Sequence, residues 1–414
     1  MEKKYLRLAE RQLREALEDT PVVMIHGPRQ CGKTTLAQQM STREEGYEYL
    51  TLDDEAVRTA AELDPMGFCL RLPPKAIIDE AQRVPRLFTA IKYIIDQERA
   101  PGRLILTGSS DVMSLPQVSD SLAGRVEVIR LHPLARAELR GEREDELLIQ
   151  RLYEGHLSEL TSRSYERLGA GLSELIVRGS FPAALARPHE RRARRWYTAY
   201  AQALVQRDIH DLAHIRKAEA VPKLLEACAL MSAQTLNLAS LSSALSLTQA
   251  TLKEYLSLLQ QLFLIDELPA YHNNHLKRLT KTPKLHLVDT GLACAVMGLT
   301  SQALERDRAR LGHLVETWVF QELTRQVSWL DDPLSLSHYR TKDQLEVDVV
   351  IESPRGVMAV EVKTSASLTF ADFKGLAQLR DQLGGGWLGG VLLYDGERVV
   401  SSGDGLWAVP LSAL

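Results

Sequence analysis

Residues 27–34 read Gly27-Pro-Arg-Gln-Cys-Gly32-Lys33-Thr34, the pattern G-x-x-x-x-G-K-[ST], directly after the apolar run Val22–Ile25. Such a loop functions only between a buried strand and a helix. Its glycines let the backbone curl until several N–H groups face a polyphosphate at the positive end of the helix. The fully apolar Val22–Ile25 suits a buried parallel strand, and 34–40 run on without a helix breaker. The pattern predicts that Gly27, Gln30, Gly32, Lys33, Thr34 and Thr35 line a nucleoside triphosphate. Lys33 would reach the β- and γ-phosphates and the Thr34 hydroxyl would bind Mg²⁺. A chance glycine-rich turn is the alternative, and the flanking strand and helix weigh against it. The expected cofactors are ATP and Mg²⁺.

Turnover needs a group that activates water. Ala76-Ile77-Ile78-Asp79-Glu80 is a second short apolar strand ending in two carboxylates. Asp79 stands where a Walker B aspartate would hold Mg²⁺, and Glu80 where a general base would orient the attacking water. A third strand, 103–110, ends in small polar residues, and Ser109 or Thr107 would sense the γ-phosphate. Arg125, before a strand 126–131, is either an arginine finger for a neighbouring subunit's nucleotide or a surface arginine pairing with Glu127.

The rest of the composition excludes several classes. At 414 residues, two or three domains are expected, and 45% hydrophobic with 25% charged residues is ordinary for a globular chain. No apolar run is long enough for a membrane span, and the charged amphipathic start (Met1–Arg11) has no signal-peptide core. Cys31, Cys69, Cys228 and Cys294 show no metal spacing and read as reduced thiols of a cytoplasmic protein. Oxidation of Cys31, inside the loop, would block nucleotide. A net charge of −4 argues against a uniform coat for nucleic acid, which leaves two local basic stretches, 187–196 and 272–284.

The second basic stretch lies in a compact helical region. Helices are predicted over 222–231, 238–245 and, capped by Thr248, onward to Gln260, followed by strands at 263–269 and 284–288. This is a winged helix-turn-helix pattern. Thr248, Gln249, Thr251 and Lys253 would face a DNA groove, with Lys277, Arg278 and Lys281 on the wing. Winged helices also serve as protein-binding modules, and that reading stays open.

Farther on, Glu346–Ile351 and Val357–Lys363 read as two strands around a turn at 353–356. Alternation puts Val347, Val349 and Ile351 on one face and Glu346, Asp348 and Val350 on the other. With Pro354 and Arg355 as the central turn residues, Asp348 falls opposite Glu361. Asp348, Glu361 and Lys363 would bind Mg²⁺ and activate water for phosphodiester cleavage. Glu316, on an otherwise apolar helix over 311–326, needs a partner and would join them. The order Glu316…Asp348…Glu361-x-Lys363 resembles the PD-(D/E)XK nuclease core.

Taken together, the chain resembles the AAA-type ATPases with a C-terminal DUF4143 region. The likeness rests on Gly27–Leu36, Ile78–Pro85, Leu106–Ser110, Leu122–Arg125, Arg178-Gly-Ser-Phe-Pro182, Asp289-Thr-Gly-Leu292, Glu346-Val-Asp348 and Glu361-Val-Lys363. Gly179-Ser-Phe-Pro182 departs slightly from the family's Gly-Gly-Tyr-Pro. Neither that motif nor Gln206-Arg207-Asp208 has an assigned role, although Arg207 would suit a second nucleotide sensor. The resemblance implies an α/β fold in four parts: a P-loop ATPase core (1–135), a helical linker (136–215), a winged helix (216–290) and a restriction-endonuclease-like α/β domain (291–414). The expected activity is ATP hydrolysis by a homo-oligomer that remodels branched or duplex DNA, with Mg²⁺-dependent cutting as a variant. The alternative is a nucleotide-dependent switch or scaffold whose C-terminal modules bind proteins.

Overall fold

The computed structural model describes residues 5–41, 45–111, 122–205, 219–272, 278, 281–341 and 345–414. Lys277, Arg207 and most of the predicted wing lie outside them. The chain divides into two compact units. The first runs to Leu134 and includes the later segment Leu259–Leu264. The second holds Ala135–Leu258 and Ile265–Leu414.

The first unit is built on a five-stranded parallel sheet. Its strands are β1 (Val22–His26), β2 (Glu48–Thr51), β3 (Ala76–Asp79), β4 (Leu104–Gly108) and β5 (Val126–Arg130), in the order β2-β3-β4-β1-β5. β3 and β4 are buried throughout, and β1 up to Ile25, which is why Ala76–Ile78, Leu104–Leu106 and Val22–Ile25 read as apolar runs. The helix Leu87–Gln97 covers one face with Leu87, Phe88, Ile91, Ile94 and Ile95, which pack with Met24, Ile78 and Leu106. Because β4 lies between β1 and β3, the end of β4 falls between the glycine-rich loop and the Asp79-Glu80 corner.

In the second unit, helix Ala220–Leu230, strand β6 (Gln234–Thr235), helices Leu238–Leu245 and Gln249–Gln261, and strands β7 (Ile265–Leu268) and β8 (Lys284–Leu287) follow one another. The three strands form a small sheet in the order β6-β8-β7. With only two residues, β6 is too short to leave a periodic signal in the sequence, and it was not expected. Thr248 does cap the long helix, its Oγ1 accepting the Thr251 N–H at 3.2 Å. Leu259–Leu264, the helix end and its exit, belong to the first unit, where the Phe263 ring meets His26 edge-on at 5.2 Å.

Helix Arg308–Ser328 leads into a six-stranded mixed sheet, order β13-β14-β12-β11-β10-β9. Its strands are β9 (Ser335–Arg340), β10 (Glu346–Ser353), β11 (Gly356–Val362), β12 (Trp387–Tyr394), β13 (Val400–Gly403) and β14 (Leu406–Pro410). Val349–Ser353 pair with Val360–Gly356 around Pro354 and Arg355, the register that carries Asp348 toward Glu361. The simple face alternation fails. Val347 and Val350 pack in the same cluster, with Ala359, Leu376 and Leu392, because the β9–β10 ladder shifts register between them. One extra residue turns the strand by a face. It also frees the Asp348 carboxylate to accept the Val362 N–H at 2.9 Å.

Two of the stretches that carry the resemblance, Gly179–Pro182 and Asp289–Leu292, are halves of one buried joint; Gln206-Arg207-Asp208 lies outside the described residues. The Asp289 carboxylate accepts the Ser180 N–H (2.7 Å) and hydroxyl (2.6 Å) and the Leu292 N–H (2.8 Å). Arg325 donates to the Ser180 hydroxyl (2.9 Å) and to Glu322 (2.9 Å), which also accepts the Arg136 N–H (3.0 Å). Gly179 has φ +62°, and a Cβ there would lie 2.2 Å from the Tyr197 hydroxyl and 2.4 Å from Asp289. A methyl group fits neither that conformation nor that space. Gly179→Ala is expected to cost about 2–3 kcal/mol, seen as a lower Tm. Gly171→Ala should be neutral or slightly stabilising, since Gly171 opens a helix and a methyl there would meet nothing within 4 Å.

Candidate active site

The glycine-rich loop leaves β1 and enters helix Lys33–Gln39 through two left-handed residues, Gln30 (φ 62°) and Gly32 (φ 109°). A Cβ on Gly27 would lie 2.1 Å from the Leu131 carbonyl, so only glycine permits this approach of loop to β5. The Lys33 ammonium is buried and donates to the Gly27 (3.0 Å) and Pro28 (2.9 Å) carbonyls, which aims it along the loop. Thr34 is half-buried, and Gln30 and Thr35 are exposed. Cys31 is fully buried, its thiol donating to the Leu131 carbonyl at 3.3 Å. Burial shields it from the oxidation that its place in the loop suggested.

Asp79 organises the site. Its Oδ1 accepts from the hydroxyls of Thr34 (3.0 Å) and Thr107 (2.6 Å), and its Oδ2 from Tyr49 (2.8 Å). Burial and the bond to Asp79 push the Tyr49 phenol up to about 12, so it stays protonated and donating. Thr107 also accepts the Glu80 N–H at 3.0 Å. Its hydroxyl is committed to holding the corner. Glu80 adopts φ 58°, ψ 43°, a left-handed conformation that a non-glycine residue takes at a cost. Its Oε2 accepts from Ser109 (3.0 Å) and from Gln82, which also donates to Ser109 at 3.0 Å. This set of donors and carboxylates suits Mg²⁺·ATP, with Thr34 and Asp79 on the metal and Lys33 on the phosphates. Bound Mg²⁺ would neutralise phosphate charge, and Glu80 would be the carboxylate to orient a water.

Three residues of this site had no role assigned from the sequence. Tyr49, on the edge strand β2, lies outside every motif, and Gln82, in a single 3₁₀ turn after Glu80, falls within Ile78–Pro85 without a role of its own. Arg7, buried ahead of the first helix, donates to the Cys31 (2.8 Å) and His132 (2.7 Å) carbonyls and so braces the loop from behind. Arg125 does not pair with Glu127. Its guanidinium makes a two-pronged bond to Asp96 on helix Leu87–Gln97, at 2.7 and 2.8 Å, and holds the Asp96 carboxyl below the usual range.

The predicted DNA-facing residues separate into two groups. Thr248, Gln249, Lys253 and Lys281 are exposed, and Thr251 is half-buried. Arg278, expected on the wing, is instead folded inward. It donates to Glu352 (2.8 Å to Oε1) and to the His272 carbonyl (2.6 Å), with its guanidinium over the Tyr271 ring. In this arrangement its charge is paired with Glu352.

The carboxylates of the C-terminal region do gather, around a cation that the sequence places in the basic stretch 272–284. Lys284 is 2% exposed, and its ammonium donates to Glu316 (2.6 Å) and Asp348 (3.4 Å) and pairs with Glu346. Burial alone would lower its pKa, but Glu316, Asp348 and Glu346 together raise it, so it stays charged. Lys363, on the other side, donates to Glu361 Oε1 at 2.6 Å. Burial and the neighbouring Asp348 push Glu361 up to about 8. Among the described residues no three His, Cys, Asp or Glu side chains gather so as to hold a metal ion.

Two neutral histidines flank this knot. Burial, and then the Lys284 charge, lowers His338 to about 4 and His286 well below its ordinary value. A histidine depressed in the folded state takes up its proton more readily when unfolded, so stability is present above about pH 6.5 and lost as pH falls toward 4. The Tm should drop across that window, and His338→Gln should flatten the drop. Within the nucleotide site, Glu80→Gln should lower ATP turnover about 10²–10⁴-fold while ATP still binds. Gln82→Ala, which frees the Glu80 carboxylate, should lower kcat about tenfold with a smaller change in KM.

Residues 19–140 match the family described as "AAA domain", and 311–414 the one described as "Domain of unknown function (DUF4143)". Residues 169–303 match "Domain of unknown function (DUF8612)", which takes in the Gly179 and Asp289 motifs. Two curated relatives, the uncharacterized proteins Rv2008c of Mycobacterium tuberculosis and Mb2031c of Mycobacterium bovis, are each 27% identical over 98% of this chain and 83% of their own length. Among solved structures, the Thermotoga maritima RuvB Holliday junction branch migration motor is 17% identical over 66% of this chain and 93% of its own, with a TM-score of 0.27. A Pyrococcus horikoshii STAND ATPase, PH0952, is 13% identical over 80% of this chain and 48% of its own, with a TM-score of 0.23. Overlays this loose bear on neither fold nor function. The family matches agree with the Lys33–Thr34–Asp79–Glu80 geometry: this chain carries an AAA-type P-loop ATPase domain at 19–140 and a DUF4143 region at 311–414.

Proposed function

We propose that this ATPase acts on DNA, as a cytoplasmic homo-oligomeric motor that remodels branched or duplex DNA, for example by moving a junction. One observation carries the reading. The helix Gln249–Gln261 opens with exposed Thr248, Gln249 and Lys253, suited to a groove, and its last residues belong to the ATPase unit. There Phe263 packs on His26, the residue before Gly27. A helix held at one end by the nucleotide unit is a lever for whatever its other end grips. In an oligomer, Arg125 would leave Asp96 for a neighbouring subunit's γ-phosphate.

A second reading, a nucleotide-dependent switch that binds proteins, draws support from Arg278 and Lys284. Both are consumed by internal carboxylates, so less positive charge is left for a phosphate backbone. The two readings differ in ATP hydrolysis measured without DNA, with duplex and with a four-way junction, beside Lys33→Ala. The motor reading expects stimulation by DNA that is lost in Lys33→Ala, weakened by Lys253→Ala and steeply reduced by salt. A rate indifferent to every DNA would favour the switch.

A further inference from the structure

The resemblance to a nuclease core implies a divalent cation among Glu316, Asp348 and Glu361, and the residues present do not fit one. Glu316 and Asp348 already surround an ammonium, and Glu346 completes the ring. That ammonium is not on a swinging surface chain. Lys284 lies on the central strand of the small sheet, paired to Thr235 on one side and Leu268 on the other. Its stem is buried to the tip. A lysine so placed delivers its charge to one point and keeps it there.

We infer that the Lys284 ammonium is a built-in cation filling the metal position of the nuclease-like carboxylate cluster, so that the cluster is an ionic joint and not a metal-dependent cutting centre. The joint ties three elements: β8 through Lys284, helix Arg308–Ser328 through Glu316, and β10 through Glu346 and Asp348. Each carboxylate is buried or half-buried and would be costly without this partner. The other oxygen of Asp348 is taken by the Val362 N–H and one oxygen of Glu361 by Lys363; the buried Glu361 Oε2 has no hydrogen-bond partner, but among the described residues no three such side chains gather so as to hold a metal ion.

The test is Mn²⁺ binding to the full chain without nucleotide, followed by the electron paramagnetic resonance signal of free Mn²⁺. Wild type and Asp348→Asn should take up Mn²⁺ alike, with no site that depends on Asp348. Lys284→Met leaves three carboxylates without a cation; it should unfold at a lower temperature and bind Mn²⁺ at least about tenfold more tightly than wild type. That gain, and its recovery of Tm by Mn²⁺, should vanish in Lys284→Met/Asp348→Asn. An Asp348-dependent Mn²⁺ site in wild type would overturn the inference, as would a folded Lys284→Met chain that gains no site. Should Lys284→Met fail to fold, Lys284→Gln replaces it, and the comparison of wild type with Asp348→Asn decides without any change at 284.

Discussion

A buried carboxylate must be stabilised by something, and the choice of partner separates the two acidic sites of this chain. Asp79 is surrounded by neutral donors: the hydroxyls of Thr34, Tyr49 and Thr107. Hydroxyls satisfy its lone pairs without cancelling its charge, which leaves a net negative corner beside Lys33 and the phosphate loop. Four segments meet there, from the helix after β1 and from β2, β3 and β4. The placement of Glu80 and Ser109 follows from it. At the second site Lys284 supplies a full positive charge shared by the carboxylates of Glu316, Glu346 and Asp348.

The same contrast explains what the sequence disclosed. The phosphate loop, the Asp79-Glu80 strand end and the helix after Thr248 were legible because their signals are local: a glycine spacing, an apolar run, a cap. The hairpin register around Pro354 was legible for the same reason. The roles of Tyr49, Gln82 and Arg7 were not, because each contributes through a tertiary contact that no spacing encodes. Lys284 heads the predicted strand 284–288, but only the fold shows that its ammonium is buried among carboxylates. Arg278, expected on the wing, is likewise paired inward, and the β10 bulge defeats simple alternation.

The Gly179 and Asp289 motifs show a third kind of limit. They are more than a hundred residues apart and were recognisable as motifs but not as partners. Their meaning lies in sterics: Gly179 and Gly291 clear space for Tyr197, which would otherwise collide with a Cβ at either position. The joint fixes the helical region onto Arg325 and Glu322, within the same unit as the Lys284 knot.

In the proposed motor, nucleotide state and DNA grip are linked through one continuous helix. The most direct measurement is DNA affinity of the Glu80→Gln protein, with saturating ATP and Mg²⁺ and with no nucleotide, at one fixed salt concentration. Linkage requires that ATP change DNA affinity by the same factor as DNA changes ATP affinity. A motor of this design should show a matched change of about fivefold or more in both directions. DNA affinity identical in the two states, or no DNA binding in either, would contradict it.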